Sequence, residues 1–201
     1  MSLEPNRREV ERHIELLTAP WNETGLRATM ELRCLKQNGP TQVTKFDPSD
    51  ADSTDHAISW VMSFNEQGWN AYVCVNPINP SHTGYANDDE IIGAFFQFAD
   101  ADTEDAAKSI RSFGTQPDFY VITGKTPFER LHAYWQVAGI NNIDEWREAQ
   151  FLLIERFKSD QAINNPSRIM RLAGTVSWPN TKKKEKGYIP ELTTLEEGNA
   201  W

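Results

Sequence analysis

The sequence predicts a mixed α/β (α+β) fold, and three observations carry that prediction. Segments with helical apolar spacing alternate with short apolar runs of strand length, and neither kind dominates. At 201 residues the chain suits a single domain, here of two lobes, long enough to bury a sizeable core. Its apolar fraction of 39% includes 22 aromatic residues (10 Phe, 7 Trp, 5 Tyr), the composition of a folded globule rather than a disordered chain.

Residues 6–18 fit an amphipathic helix with Val10, Ile14 and Leu17 on one face, stopping at Ala19-Pro20. Leu26–Lys36 reads as a half-buried strand, since Leu26, Ala28, Met30, Leu32 and Cys34 alternate with Arg27, Glu31 and Arg33; Asn38-Gly39-Pro40 then turns the chain. The acidic stretch Asp47–Asp55 fails as a calcium loop, because counting from Asp50 the sixth place is Asp55 instead of Gly and the twelfth is Val61 instead of Glu. It is read as a polar loop and cap before a helix over 55–66, which closes at Gly68. A strand follows at Ala71–Val75, then a long loop over 78–90 with Pro80, Gly84, Asn87, Asp88 and Asp89. Next come a strand at 91–99, a helix near 103–113, strands at Phe119–Thr123 and Leu131–Val137, and a helix over 144–158 with Trp146, Ala149, Leu153 and Phe157 on one side. The last 30 residues are loop-rich, with a short strand at Tyr188–Leu192.

No apolar run approaches a membrane span, and no signal-peptide core follows Met1-Ser2-Leu3-Glu4-Pro5. The chain is therefore read as cytoplasmic, with no membrane partner. Cys34 and Cys74 are too few for a disulfide framework or a zinc cluster and are read as buried thiols. The net charge is −9, but residues 168–186 hold six basic residues against one acidic, so that segment carries +5 and the remainder −14. An acidic body with one basic segment can still grip a polyanion locally, although a Lys-Lys-Lys run is more often a solvated face.

The chemistry concentrates at Phe95-Phe-Gln-Phe-Ala-Asp-Ala-Asp102, where an aromatic strand rises to two carboxylates spaced i, i+2. On a strand Asp100 and Asp102 share a face with Phe96 and Phe98. Paired carboxylates repel, and a cation between them relieves the repulsion. Taken alone, the pair is more simply read as a strand end running into a helix cap at Asp102 or Thr103, since a lone Asp-x-Asp is common. Two further clusters bear on the choice. Thr123-Gly124-Lys125 leads to His132-Ala-Tyr-Trp135, and Asp160 precedes Asn165-Pro-Ser-Arg168-Ile-Met-Arg171-Leu-Ala-Gly-Thr175. Gly124-Lys125-Thr126 is not a Walker loop, since Phe119 stands where its first glycine belongs. Three carboxylates, a histidine and several cations are the parts of metal-dependent phosphoryl or nucleotidyl transfer.

In this order the clusters resemble the three motifs of the archaeo-eukaryotic primase superfamily, within it the primase-polymerase domains of plasmid and prophage replication proteins. The resemblance runs from about Asn70 to Thr194, with Thr123 where the family has Ser, Ala173 where it has Pro, and a second motif several residues longer before its histidine. It implies a two-lobed primase-polymerase fold with an N-terminal lobe of about residues 1–90 and a catalytic lobe of about 91–195, the latter a sheet like an RNA-recognition motif (RRM) with flanking helices. It implies a DNA primase-polymerase in which Asp100, Asp102 and Asp160 bind Mg²⁺ or Mn²⁺ and act in catalysis with His132. Thr123, Lys125, His132 and Arg171 would hold the nucleoside triphosphate. Arg168 with Lys182, Lys183 and Lys184 would contact the single-stranded DNA template, an assignment resting on charge. The chain would be a fragment of a longer replication protein, with a helicase domain or protein as a further partner. Two other readings use the same residues: a metal-dependent nuclease with water as nucleophile, and a non-catalytic nucleic-acid-binding module.

Overall fold

The computed structural model of the protein describes residues 3–198. Helix α1 (Arg7–Thr24) starts where the Asn6 side chain accepts hydrogen bonds from the Arg8 and Glu9 amides. It does not stop at Pro20. Pro20 and Trp21 are both buried, which offsets the lost proline hydrogen bond, and the helix closes only at Gly25, whose φ of 70° suits a left-handed cap. Strands β1 (Met30–Leu35) and β2 (Thr41–Phe46) form an antiparallel hairpin with Met30 opposite Phe46 and Leu35 opposite Thr41. The expected strand over 26–36 is thus shorter, and β2 was not anticipated, because Thr41-Gln-Val-Thr-Lys-Phe46 buries only its last residue.

Helix α2 (Ala51–Glu66) begins four residues before the expected start, since Asp50 itself caps it through the Asp52 and Ser53 amides. Strand β3 (Asn70–Cys74) pairs with β1, and the 78–90 segment is a loop ending in a 3-10 turn, Asp88–Glu90. Strand β4 (Ala94–Ala101) is displaced from 91–99 toward the carboxylates. Helix α3 (Glu104–Arg111) follows, capped by the Thr103 hydroxyl, then β5 (Phe119–Gly124), β6 (Arg130–Ile140) and α4 (Ile143–Phe157). The tail supplies β7 (Ile169–Arg171), β8 (Val176–Ser177), α5 (Thr181–Glu185), β9 (Glu191–Leu192) and β10 (Thr194–Glu197). The strand expected at Tyr188–Leu192 is confined to its last two residues, and β10 is an addition.

Two four-stranded antiparallel sheets result, in the orders β2-β1-β3-β7 and β10-β5-β6-β4, with β8-β9 as a small third. The first draws its fourth strand from far along the chain, Arg171 lying opposite Tyr72. The succession β4-α3-β5-β6-α4 builds the RRM-like part of the second. Alternation along β4 divides that sheet's two faces. Ala99 and Ala101 pack with Leu131, Ala133, α3 and Phe157, whereas Phe96 and Phe98 join Phe119, Val121 and Tyr134 in a core shared with the first sheet and α1. Asp100 continues the second of these rows.

Strand β4 is an edge strand, and α4 shields its open side. Gln150, fully buried, donates to the Phe98 carbonyl at 2.7 Å and accepts from the Phe98 amide at 3.3 Å, while the Trp146 indole donates to the Phe96 carbonyl at 2.8 Å. Among the described residues no helix is long and apolar enough to cross a membrane.

Candidate active site

The cleft lies between the two sheets, with its acids on the second sheet and cations reaching it from both. From the second sheet come Asp100 and, just beyond the end of β4, Asp102; antiparallel register sets His132 of β6 directly opposite Asp100. The His132 Nε2 atom stands 3.5 Å from Asp100 Oδ1. From the first sheet and the turn before it come Arg171 and Arg168, and Lys183 reaches in from α5 to 3.7 Å from Asp102. The enclosed space is about 220 Å³.

Each cation is held by a specific partner. Arg171 donates to Asn70 Oδ1 at 2.7 Å and to the Tyr72 hydroxyl at 3.1 Å, with its guanidinium 4.9 Å from the Tyr72 ring centre. Asp160 is carried to the site by its backbone: its amide donates to the Asp100 carbonyl at 3.1 Å, on the side of β4 where a further strand would pair. Its carboxylate accepts from the Ala162 amide and stands 3.9 Å from Arg168.

Burial is the largest force on Asp100, and the charges of Asp102 and Asp160 add to it, so its carboxyl is pushed up to about 7; Lys183 and Arg171 oppose the shift. His132 moves the other way. Burial first, then the Arg171 charge, holds its imidazole well below the ordinary value, and it is neutral at pH 7. Its buried Nδ1 has no hydrogen-bond partner among the described residues.

Asp102 and Asp160 lie near enough to Asp100 to raise its carboxyl, and carboxylate oxygens are the donor type that Mg²⁺ or Mn²⁺ takes. Among the described residues no three His, Cys, Asp or Glu side chains are gathered as a finished metal cage. Asp102 faces Lys183 and Asp160 faces Arg168, so cationic side chains partly balance the acids.

Of the sequence-derived candidates, Asp100, Asp102, Thr123, His132, Arg168, Arg171 and Lys183 line the cleft, whereas Asp160 does not line it and is joined to it through the Asp100 carbonyl and Arg168. Lys125 does not line it: the residue is exposed, and its amide is bonded to Glu191. Lys182 and Lys184 point into solvent from α5. Sequence reasoning missed Arg130, Tyr72, Trp178 and Tyr188, which also line the space. Arg130 was accessible, since it stands two residues before His132 on one strand and therefore on the same face. Tyr72 and Tyr188 carry no such local signal.

No protein-family model matches the chain, and no curated protein does. Solved structures do. The AEP domain of the cyanophage S-2L primase-polymerase matches with a TM-score of 0.66 at 23% identity, over 96% of this chain and 90% of that one. Primase RepB′ matches with a TM-score of 0.65 at 14% identity, over 94% of this chain and 56% of its own, so the present chain spans a little over half of that protein. The catalytic domain of RepB′ in complex with initiator DNA gives a TM-score of 0.61 at 16% identity, over 94% and 85%. At such identities the likeness is one of architecture: the chain has the fold of the archaeo-eukaryotic primase-polymerase domains.

Proposed function

We propose that the chain is a primase-type nucleotidyltransferase, joining a nucleoside triphosphate, ribo or deoxyribo, to a primer on a single-stranded DNA template during plasmid or prophage replication. The observation that carries this reading is the opposition across one cleft of Asp100, Asp102 and His132 on one sheet and Arg168 and Arg171 on the other. Asp100, Asp102 and Asp160 are the residues that would hold Mg²⁺ or Mn²⁺, which, when bound, supplies charge neutralisation and a lowered pKa for the attacking 3′-hydroxyl. Arg171, oriented by Asn70 and Tyr72, presents a fixed fork to phosphate oxygens. Neutral His132 donates a hydrogen bond to a phosphate without adding charge. Arg168 and Lys183 sit at the rim, where a template backbone would pass, with exposed Lys182 and Lys184 extending the basic surface. One structural neighbour is a primase catalytic domain in complex with initiator DNA, which supports a DNA partner. A longer replication protein with a helicase part belongs to the same reading.

Calorimetry of nucleoside triphosphate binding with and without Mn²⁺ tests it, on the wild type and on Asp100→Asn/Asp102→Asn. Metal-dependent micromolar binding that the double substitution abolishes is the expected result, followed by primer extension. A second reading, a DNA-binding module without catalysis, draws support from the contact of Lys183 with Asp102. It predicts salt-dependent DNA binding with no metal-dependent triphosphate binding.

A further inference from the structure

His13 is a second buried histidine, outside the cleft and packed against the strand that carries His132. It lies on α1, is fully buried, and burial holds its imidazole down to about 3, so it is neutral at pH 7. Its Nδ1 accepts from the Ala173 amide at 3.1 Å. A neutral imidazole that accepts through one nitrogen carries its hydrogen on the other, so His13 Nε2 is a donor. The placement is built in. The Asn6 amide at the start of α1 donates to the Gly174 carbonyl at 2.7 Å, and a Cβ on Gly174 would overlap the Asn6 carbonyl and the Val10 amide.

From His13 a row of rings leads back to the cleft. The His13 ring centre stands 5.8 Å from that of Tyr134, and the Tyr134 centre stands 6.4 Å from that of His132. Tyr134 and His132 are two residues apart on β6 and share a face. Three buried polar atoms in this row, His13 Nε2, the Tyr134 hydroxyl and His132 Nδ1, have no hydrogen-bond partner among the described residues. Buried polar groups are rarely left unpaired, and ring spacings of this size let neighbours pair directly or across one buried water. The chain that uses every donor runs one way. His13 Nε2 only donates, the hydroxyl accepts from it and donates onward, and His132 Nδ1 is left to accept.

We infer that His13 and Tyr134 are positioning residues that fix the tautomer of His132: its Nδ1 accepts from the interior, and its Nε2 keeps the hydrogen, aimed into the cleft beside Asp100 at 3.5 Å. The inference deepens the nucleotidyltransferase reading and rests on it for its consequence, because only this tautomer donates from Nε2 to a phosphate oxygen.

The test is NMR of the imidazole nitrogens in chelator at pH 8, without nucleotide, on wild type, His13→Phe and Tyr134→Phe, with thermal melts to show that the variants fold. Wild-type His132 should carry its hydrogen on Nε2. In either variant the share of the Nδ1–H form should rise about fivefold, the effect of one lost hydrogen bond. An unchanged tautomer in a folded variant would overturn the inference, since a purely structural role leaves the hydrogen where it was. Should neither fold, the wild-type spectrum decides: hydrogen on Nε2 of both histidines with a slowly exchanging Tyr134 hydroxyl supports the relay, and hydrogen on His132 Nδ1 refutes it. Calorimetry with Mn²⁺ then reads the consequence, a triphosphate affinity about fivefold weaker in each variant. A shifted tautomer with unchanged affinity would refute the positioning role. If the wild type binds no triphosphate, the reading of the cleft fails while the tautomer result stands, because it is recorded without metal or nucleotide.

Discussion

Asp100→Asn should make the metal-free protein more stable, and the gain should depend on pH. In the folded chain the Asp100 carboxyl is raised from 3.8 to about 7, principally by burial and then by Asp102 and Asp160. Its side chain is 19% exposed, so solvent screening is small. Because the folded-state value exceeds the unfolded one, between these two pH values the native state holds a proton that the unfolded state has released. Stability must then fall as pH rises through the window, by about 1.4 kcal/mol per unit, with the full penalty reached above pH 7. Asparagine carries no charge to bury and escapes the penalty. From pH 5 to pH 8 the advantage of the variant should widen by up to ~3 kcal/mol, or about 6–12 °C in melting midpoint for a chain of this length. The assay is a thermal melt in chelator at pH 5, 6, 7 and 8. Adding Mn²⁺ at pH 8 should raise the wild-type midpoint and leave that of the variant unchanged. A variant no more stable than wild type at pH 8, or an advantage that does not shrink toward pH 5, would refute the claim that Asp100 is buried among like charges.

Gln150→Leu should cost about 3 kcal/mol, seen as a lowered urea midpoint, because the Phe98 amide and the Phe98 and Ile163 carbonyls all lose their buried partner. Arg171→Lys keeps the charge but loses the fork that Asn70 and Tyr72 orient, and should weaken triphosphate binding about tenfold by calorimetry while leaving the melting midpoint within a few degrees. Asp88→Asn should loosen the segment carrying Asp160 and Arg168. The Asp88 carboxylate accepts from the Ser167 amide and hydroxyl and from Arg147, so faster hydrogen exchange at the Ala162 and Arg168 amides is the expected readout, with a loss of about 1–2 kcal/mol.

The sequence alone determined what is local. Period-two and period-3.6 spacing locate β4, β6, α3 and α4, because those periodicities arise from backbone geometry within a few residues. The same logic put Asp100 on the face of Phe96 and Phe98, and would have placed Arg130 beside His132. Local reasoning failed where tertiary burial overrode a local signal, as at Pro20, and where a strand such as β2 pairs without a buried face of its own.

What only the tertiary structure decided is which distant segments face one another. Arg171 meets Tyr72 through strand register across 99 residues, Arg130 meets Glu191 across 61, and Asp160 reaches Asp100 through a backbone hydrogen bond that any residue type could make. Such pairings depend on how two sheets and their connections pack as a whole, and no spacing within one segment encodes them. For that reason the acids and the histidine were legible as a candidate site, whereas the Glu191 carboxylate lodged in the loop beside them was not.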